Sequence, residues 1–511
     1  MNAITNSTRG SKAERRRPPP VATAATPAEN PNWGGAPLHA TLWILTIPAL
    51  YAIGIVVFHA QPGKIGLYGF ALVFGLVLLA QLRKGPEVLL AVLIFYMPLS
   101  RLFAARIAPG LNGTNSLELL LIATWIASAY KNKIKLFRPF AFTRLVGIWL
   151  LLTIISVLTA VAAIGFHPFV WNYTEALRGF LDQFIVFFLV VNLIRDKNMA
   201  RRMIVYMMFA SSVVFVYGIH EWFGTRGLSS IEKSRLLGPV GQPNEFAAQL
   251  IYAFAPFLAY GAYYFPRWKS LRLAPVFLIG LKVLLGAFSR GAYLAFAMEL
   301  MSVSFVKSKK FFILVLLALG SIYFFLPQFV PASLKARVEQ TYEDRTQGAE
   351  IDKSADSRFI LWDAAIQMTE DNPILGKGFD QFHRLVPSYV SGYYDGVTGG
   401  ATDNQNMFLY AASNMGLPSL LTLLALIFAL AWRGWKLYRD KARPDIDRIV
   451  GLGAVTIVAG LIGVNMFGTH IIDTAVDSFL WVYLAVVAHL LQPDQRIRNS
   501  FPTKHHGAHR R

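Results

Sequence analysis

Blocks of about 17–22 apolar residues recur from residue 41 to residue 491, each long enough to cross roughly 30 Å of hydrocarbon as a helix. Nothing else in the chain constrains its fold as strongly. In lipid, every backbone polar group must be met inside its own segment, so repeated apolar blocks of this length become helices. The reading is an all-α, polytopic integral membrane protein with about 14 transmembrane helices and one large loop. The helices are expected near 41–58, 66–82, 87–100, 116–130, 145–165, 179–195, 203–222, 245–264, 272–288, 291–306 and 311–327. Three more follow near 406–432, 449–467 and 477–491. The third block is short enough to be re-entrant. Hydrophobic residues make up 55% of the chain and charged ones only 15%, which sets it apart from soluble globular domains.

The net charge of +20 could point to nucleic acid, but its distribution argues against that partner. The basic residues lie in the short loops between apolar blocks, as a topology signal requires. With Arg15-Arg16-Arg17 on the inside, alternate loops carry Arg83-Lys84, then Lys131 to Arg144, Arg195 to Arg202, Arg267 to Arg272, Lys307 to Lys310 and Arg433 to Arg448. The opposite loops carry far fewer. Both termini are therefore expected in the cytoplasm, with residues 1–40 and 492–511 as polar tails. Residues 41–327 form the first eleven helices, 328–405 a large loop on the far side, and 406–491 the last three helices. Loops of that length are usually functional. Two amphipathic helices are expected in it, around 333–345 and 355–370. The chain has no cysteine, which excludes disulfides and thiolate chemistry. The adjacent histidines of the C-terminal tail read as solvated residues, and no metal site is assigned.

Polar residues at membrane depth are costly and mark the places to look for chemistry. In "GLKVLLGAFSRGAYLAFAMELM", two apolar helices meet at a tight turn bearing Arg290. Lys282 lies eight residues before it and Glu299 nine after, about 12 Å along each helix. Their matched depths predict a buried ion pair holding the hairpin in register, with a substrate role as the alternative. A second segment, "SRLLGPVGQPNEFAAQ", places Arg235 and Asn244 beside a glycine- and proline-bounded turn, a geometry that can aim backbone N–H groups at an anion. Two arginines at one membrane face suit a pyrophosphate, because guanidinium makes paired, charge-assisted bonds to phosphate oxygens. In the long loop, Arg358, Trp362 and Ala365 share one helical face. They are either a packing stripe or a sugar-phosphate surface.

Three of these segments, in order, resemble the O-antigen ligase and Wzy-type polysaccharide polymerase superfamily. "RLLGPVGQPN" resembles R-x-x-G-x-x-G-N-P-N, and "SRGAYLAF" resembles S-R-G-A-W/Y. "SRFILWDAAIQMTEDNPILGKGFDQF" resembles the R-x-x-x-W-x-x-A…D-x-P-L-L-G-x-G-x-x-x-F signature of that family's large periplasmic loop. The likeness covers about residues 200–430. It implies a bacterial inner-membrane enzyme that transfers glycan from an undecaprenyl-pyrophosphate-linked oligosaccharide at the periplasmic face, with no metal or other cofactor. It also implies membrane lipid, a chain-length regulator and a flippase of the same pathway as partners. By the resemblance, Arg290 and Arg235 hold the pyrophosphate; Asn244, by its turn, and Arg358 and Trp362, by their shared helical face, are the further expected substrate-binding residues.

The chain departs from the family in "TDNQNMFLYAASNMG". Relatives commonly read H-N-x-x-L-x-x-x-x-E-x-G where the loop re-enters the membrane. Here Gln405 stands at the His position, Asn406 at the Asn and Asn414 at the Glu. A glutamine amide orients a hydroxyl but takes up no proton. Asp403 is then the nearest carboxylate, with His383 as a further candidate, so Arg290, Gln405, Asn406 and Asp403 form the expected catalytic set. The alternative is that 402–406 only cap a helix. The leading expectation is a polymerase that joins lipid-linked repeat units. Beside it stand a ligase delivering finished glycan to a lipid A core or other acceptor and, from another class, a transporter or flippase.

Overall fold

A computed structural model describes residues 36–57, 75, 85–102, 113–133, 135–225, 231–325, 353–390 and 404–493. Every element among them is helical. In chain order they are α1 (Ala36–Val57), α2 (Glu87–Tyr96), α3 (Gly113–Asn132), α4 (Thr143–Ile164), α5 (Phe166–Leu193), α6 (Lys197–Gly224), a single turn α7 (Ile231–Ser234) and α8 (Pro243–Tyr264). Then come α9 (Ala274–Gly286), α10 (Arg290–Lys307), α11 (Lys309–Phe325), the loop helices α12 (Lys353–Asp371) and α13 (Phe382–Tyr389), and α14 (Met407–Met415), α15 (Leu417–Arg439), α16 (Asp445–Asn465) and α17 (Thr474–Leu490).

Six of these, α4, α5, α6, α8, α15 and α16, are long and apolar enough to cross a membrane, and four shorter apolar helices accompany them. The protein is a multi-pass membrane protein. The expected total of about 14 spans exceeds what the described helices carry, and of the expected helices at 66–82 and 333–345 only residue 75 is among the described residues. The short block at 87–100 is α2 closed by a 3₁₀ turn, Met97–Leu99. The loop helix expected at 355–370 is present as α12. One expected element is corrected: 406–432 is not one helix but two, α14 and α15, broken at Gly416, whose φ of +84° no helical residue adopts.

Helix α16 is the axis of the bundle, packed along α8, α10 and α15. Its sequence explains this place. Gly451 lies against Gly434 of α15 so closely that a β-carbon on Gly434 would stand 2.8 Å from the Gly451 carbonyl oxygen. Small residues at such crossings let backbones approach, and dispersion does the rest where lipid offers no hydrophobic drive. At the end of the bundle away from the long loop, two arginine–carboxylate pairs tie helices together. Arg201 Nε and Nη2 donate to the buried Asp447 at 2.8 and 3.2 Å, and Arg202 donates to Glu87 at 2.5 and 2.7 Å.

The expected Lys282–Glu299 pair does not form. Lys282 Nζ sits 4.3 Å from the centre of the Trp222 ring, a cation–π contact. Glu299 points the other way into the core, where its Oε1 abuts Gly460 of α16 and neither carboxylate oxygen has a hydrogen-bond partner among the described residues. The two residues match in depth but face different sides of the hairpin.

Candidate active site

The site is assembled at the loop-bearing end of the bundle, beginning with the turn before α8. Gly238 and Gly241 take positive φ (61° and 78°), which lets the chain double back before Pro243 starts the helix. The N–H groups of Leu237 and Gly238 do not face an open anion site as expected: both donate to the Glu221 carboxylate, at 2.8 and 2.9 Å. This anchors the turn to the end of α6. The turn in turn fixes Arg235, whose Nη2 donates to Asn244 Oδ1 at 2.7 Å and whose Nε donates to the Ala287 carbonyl at 3.3 Å. Leu236 N–H adds a bond to the Gly286 carbonyl at 3.2 Å. Asn244 is thus a holder of Arg235.

Those two carbonyls belong to the α9–α10 turn that carries Arg290, so the two arginine segments meet. Arg290 is the first residue of α10, half-buried and oriented by the tight turn at Phe288 (φ 49°). The Tyr293 hydroxyl closes the turn by donating to the Leu285 carbonyl at 2.7 Å. Beside Arg290, Gly291 lies against Phe467 of the α16–α17 loop: a β-carbon added there would meet the Phe467 Cβ at 3.3 Å.

Phe467 is the hinge between the arginine turn and the long loop. Its ring lies 6.3 Å from the Trp362 ring of α12, tilted by 38°. One turn earlier on α12, Arg358 Nε donates to Gln405 Oε1 at 2.8 Å. Gln405 holds a left-handed backbone (φ 51°) between Asn404 and Asn406. Asn406 Oδ1 caps α14 by accepting from Phe408 N–H at 2.9 Å and Leu409 N–H at 3.1 Å. Its Nδ2 reaches the Met466 carbonyl at 3.4 Å, one residue from Phe467. Two donors in this region, Trp362 Nε1 and the amide of the fully buried Asn404, have no partner among the described residues. Buried donors without partners are costly and rare, and beside three arginines they give this surface the chemistry to bind an anion or sugar oxygens.

The signature turn "NPILGKGF" clamps the loop onto the bundle. Leu417 N–H donates to the Pro373 carbonyl at 2.7 Å, Lys377 N–H to Ser413 at 2.8 Å, Gly378 N–H to Asn414 at 3.0 Å and Phe379 N–H to Ser156 of α4 at 3.0 Å. Gly376 is required here, since a β-carbon would strike the Asn414 backbone at 2.5 Å. Asn414, at the position where relatives carry Glu, is a joint: its Oδ1 accepts from Phe382 N–H at 3.0 Å and its carbonyl from the Ser156 hydroxyl at 2.8 Å. Farther out, Asp371 accepts from the Tyr389 hydroxyl and from Lys377 Nζ, and these two donors hold its carboxyl below the usual carboxylate range.

Arg235, Asn244, Arg290, Arg358, Trp362, Gln405 and Asn406 are therefore linked through one continuous set of contacts. Asp403 lies outside the described residues. His383 is exposed on α13, on the loop side of the clamp. Phe467 is not legible in the sequence, because an aromatic in a short loop looks like any other. Residues 275–424, from α9 into α15, match the family described as O-antigen ligase. That span includes Arg290, Arg358, Trp362, Gln405 and Asn406, while Arg235 and Asn244 precede it. No curated protein matches the chain.

Proposed function

We propose that the protein, whose residues 275–424 match the family described as O-antigen ligase, is a glycosyltransferase that joins undecaprenyl-pyrophosphate-linked repeat units into a polysaccharide. The single observation that carries this reading is the meeting of the Arg235 and Arg290 turns with the loop-borne Arg358–Gln405 pair across the Trp362–Phe467 contact. The basic loops at the other end of the bundle support placing this site at the periplasmic face of the inner membrane, with both termini cytoplasmic.

In the reaction, a hydroxyl oxygen of the acceptor attacks the anomeric carbon of the donor. The bond from that carbon to the pyrophosphate oxygen breaks, and the lipid pyrophosphate leaves with the electron pair. Arg290 and Arg235 neutralise the charge that grows on it; preorganised charge of this kind is usually the largest catalytic term. Arginine takes the part that a metal plays in other phosphate chemistry, so transfer should persist in EDTA. Gln405, aligned by Arg358, orients the attacking hydroxyl. Its amide takes up no proton, so the hydroxyl proton passes to the departing pyrophosphate or to water.

The test is glycan size analysis in a deletion strain complemented with variants. Arg290→Ala should stop chain growth while repeat units accumulate on the lipid carrier. Gln405→Ala should cost less, since no proton transfer is lost with it. Normal-length polymer from Arg290→Ala refutes the assignment. The family description favours a second reading, a ligase that passes finished glycan to a lipid A core or other acceptor. Long chains stranded on the carrier in the deletion strain would select it, whereas single repeats on the final acceptor select the polymerase.

A further inference from the structure

Helix α15 keeps one exposed face along its whole length, and the chemistry of that face changes at its far end. Leu417, Leu421, Leu424 and Phe428 recur at i, i+4, i+7 and i+11, and all four are exposed. In a membrane helix such a stripe meets acyl chains. From Phe428 onward it becomes a ladder of aromatic rings. Phe428 and Trp432 stack with centroids 6.3 Å apart and planes 12° apart, and Trp432 and Trp435 at 5.1 Å and 22°. Cations lie on these rings. Lys436 Nζ is 5.0 Å from the Trp432 ring centre, and the Arg439 guanidinium carbon is 5.2 Å from that of Trp435. Beside them, the Arg433 guanidinium carbon lies 5.5 Å from the ring centre of Phe142, the residue before α4. Arg433, Lys436 and Arg439 are all exposed. Helix α15 has 23 residues, about 34 Å of rise, so these cations stand a hydrocarbon thickness from Gly416, at the end of the bundle away from the long loop.

What separates these three cations from their neighbours is the lack of a counter-charge. At the same end of the bundle, Arg201 pairs with Asp447, Arg202 with Glu87 and Arg443 with Asp440. Asp440, next to the ladder in sequence, is already taken by Arg443 and by the Ala442 N–H. Arg433, Lys436 and Arg439 form no ion pair among the described residues. The ring faces attract them and restrict their long side chains, so less freedom is lost when an anion arrives. A ligand that fits must place negative charge at this level and an apolar body along Leu421, Leu424 and Phe428. A soluble anion offers only the first. A zwitterionic lipid cancels its phosphate with its own cation. A phospholipid of net negative charge supplies both.

We propose that the C-terminal end of α15, with Lys436 and Arg439 on the Trp432–Trp435 ladder and Arg433 on Phe142, binds the head group of an anionic phospholipid in the leaflet opposite the long loop. The site is separate from the arginine turns at the other end of the bundle, and the inference is independent of the glycan-transfer reading. Each Lys or Arg at a membrane surface strengthens attraction to anionic lipid by roughly fivefold. Loss of two should therefore weaken it by about thirtyfold.

The test titrates the full-length protein in detergent with dioleoyl phosphatidylglycerol or dioleoyl phosphatidylcholine and counts retained lipid by native mass spectrometry. Wild type should retain the phosphatidylglycerol in preference to the phosphatidylcholine. The double variant Lys436→Gln, Arg439→Gln should lose phosphatidylglycerol affinity by about thirtyfold and keep its weak hold on phosphatidylcholine. A control, Lys309→Gln with Lys310→Gln, removes two exposed charges at the start of α11, at the same end of the bundle, and should bind as wild type does. All four side chains are exposed, and melting curves confirm that both variants are folded. Equal retention of the two lipids by wild type, or unchanged phosphatidylglycerol binding in the double variant, overturns the proposal. So does an equal loss in the control, which would mean that overall charge and not this ladder attracts the lipid. A lipid-free dimer in the same spectra also overturns it, by giving the exposed face of α15 to a second copy of the chain.

Discussion

Replacing Gly416 with alanine should part the joint between the long loop and the membrane bundle. The glycine holds φ +84° and ψ 164°, a region that residues with a β-carbon hardly enter. An added β-carbon would overlap the Ile374 carbonyl group, with the carbonyl carbon at 2.5 Å, and would stand 3.1 Å from Leu375 N. These are backbone atoms, so no rotamer change relieves the clash. The less costly escape is to separate the two segments, which gives up the bonds Leu417 N–H to Pro373, Lys377 N–H to Ser413 and Gly378 N–H to Asn414. At about 0.5–1.5 kcal/mol each, these sum to roughly 2–4 kcal/mol, or about a 30- to 1,000-fold rise in the opened population. Hydrogen exchange read by mass spectrometry at the amides of Lys377, Gly378 and Leu417 should show that rise directly, and glycan elongation should fall with it as Arg358 loses its register on Gln405. Gly261→Ala is the control. No atom lies within 4 Å of its added β-carbon, and the helix should gain up to about 1 kcal/mol. Wild-type protection of the three amides in Gly416→Ala would refute the reasoning.

Arg201→Ala leaves Asp447, whose side chain is 1% exposed, with only the longer 3.9 Å pairing to Arg443, and should lower thermal stability in detergent by up to about 3–5 kcal/mol, with the double substitution Arg201→Met, Asp447→Leu recovering most of it. Melting curves of the three proteins check this; a single variant as stable as wild type contradicts it. Arg358→Ala and Gln405→Ala act on one hydrogen bond, so each should slow elongation to a similar degree and the double variant should be no slower than either alone; additive losses measured in the same assay would show that the two work independently. The Asp371 carboxyl is held low by Tyr389 and Lys377, so its contribution to docking α13 is present above the unfolded value of about 3.9 and is lost as pH falls through the depressed folded value. Proteolysis of the loop should therefore accelerate only in that acid range, and Asp371→Asn should remove the dependence.

What the sequence discloses here is depth, and what it hides is direction. Apolar run length located α4, α8, α10, α11 and α16 to within a few residues, because hydrocarbon thickness sets it. The spacing of Arg358, Trp362 and Ala365 placed them on one face of α12, and Ala365 is indeed fully buried there. The break at Gly416 escaped notice because hydropathy is indifferent to φ, and the residues on both sides are equally apolar. The pairing of Lys282 with Glu299 rests on depth alone. Their directions are set by what each helix meets, Trp222 for one and Gly460 for the other, and no local pattern contains that information. The polar run at Asn406 has the opposite lesson: the cap and the candidate site are neighbours in one run, with Asn406 starting α14 and Gln405 beside it accepting from Arg358.

Because α16 lies at the centre of the bundle yet near the end of the chain, the order of synthesis leaves a long interval in which α8 and α10 are already inserted without the helix they are shaped to meet. During that interval the Glu299 carboxyl has no Gly460 to nestle against and faces lipid or a passing insertase. A chain that stops at Arg439 stays in this condition permanently. Such truncated products should for this reason be cleared by membrane proteases instead of accumulating as partial bundles, because only α16 closes the bundle over Glu299.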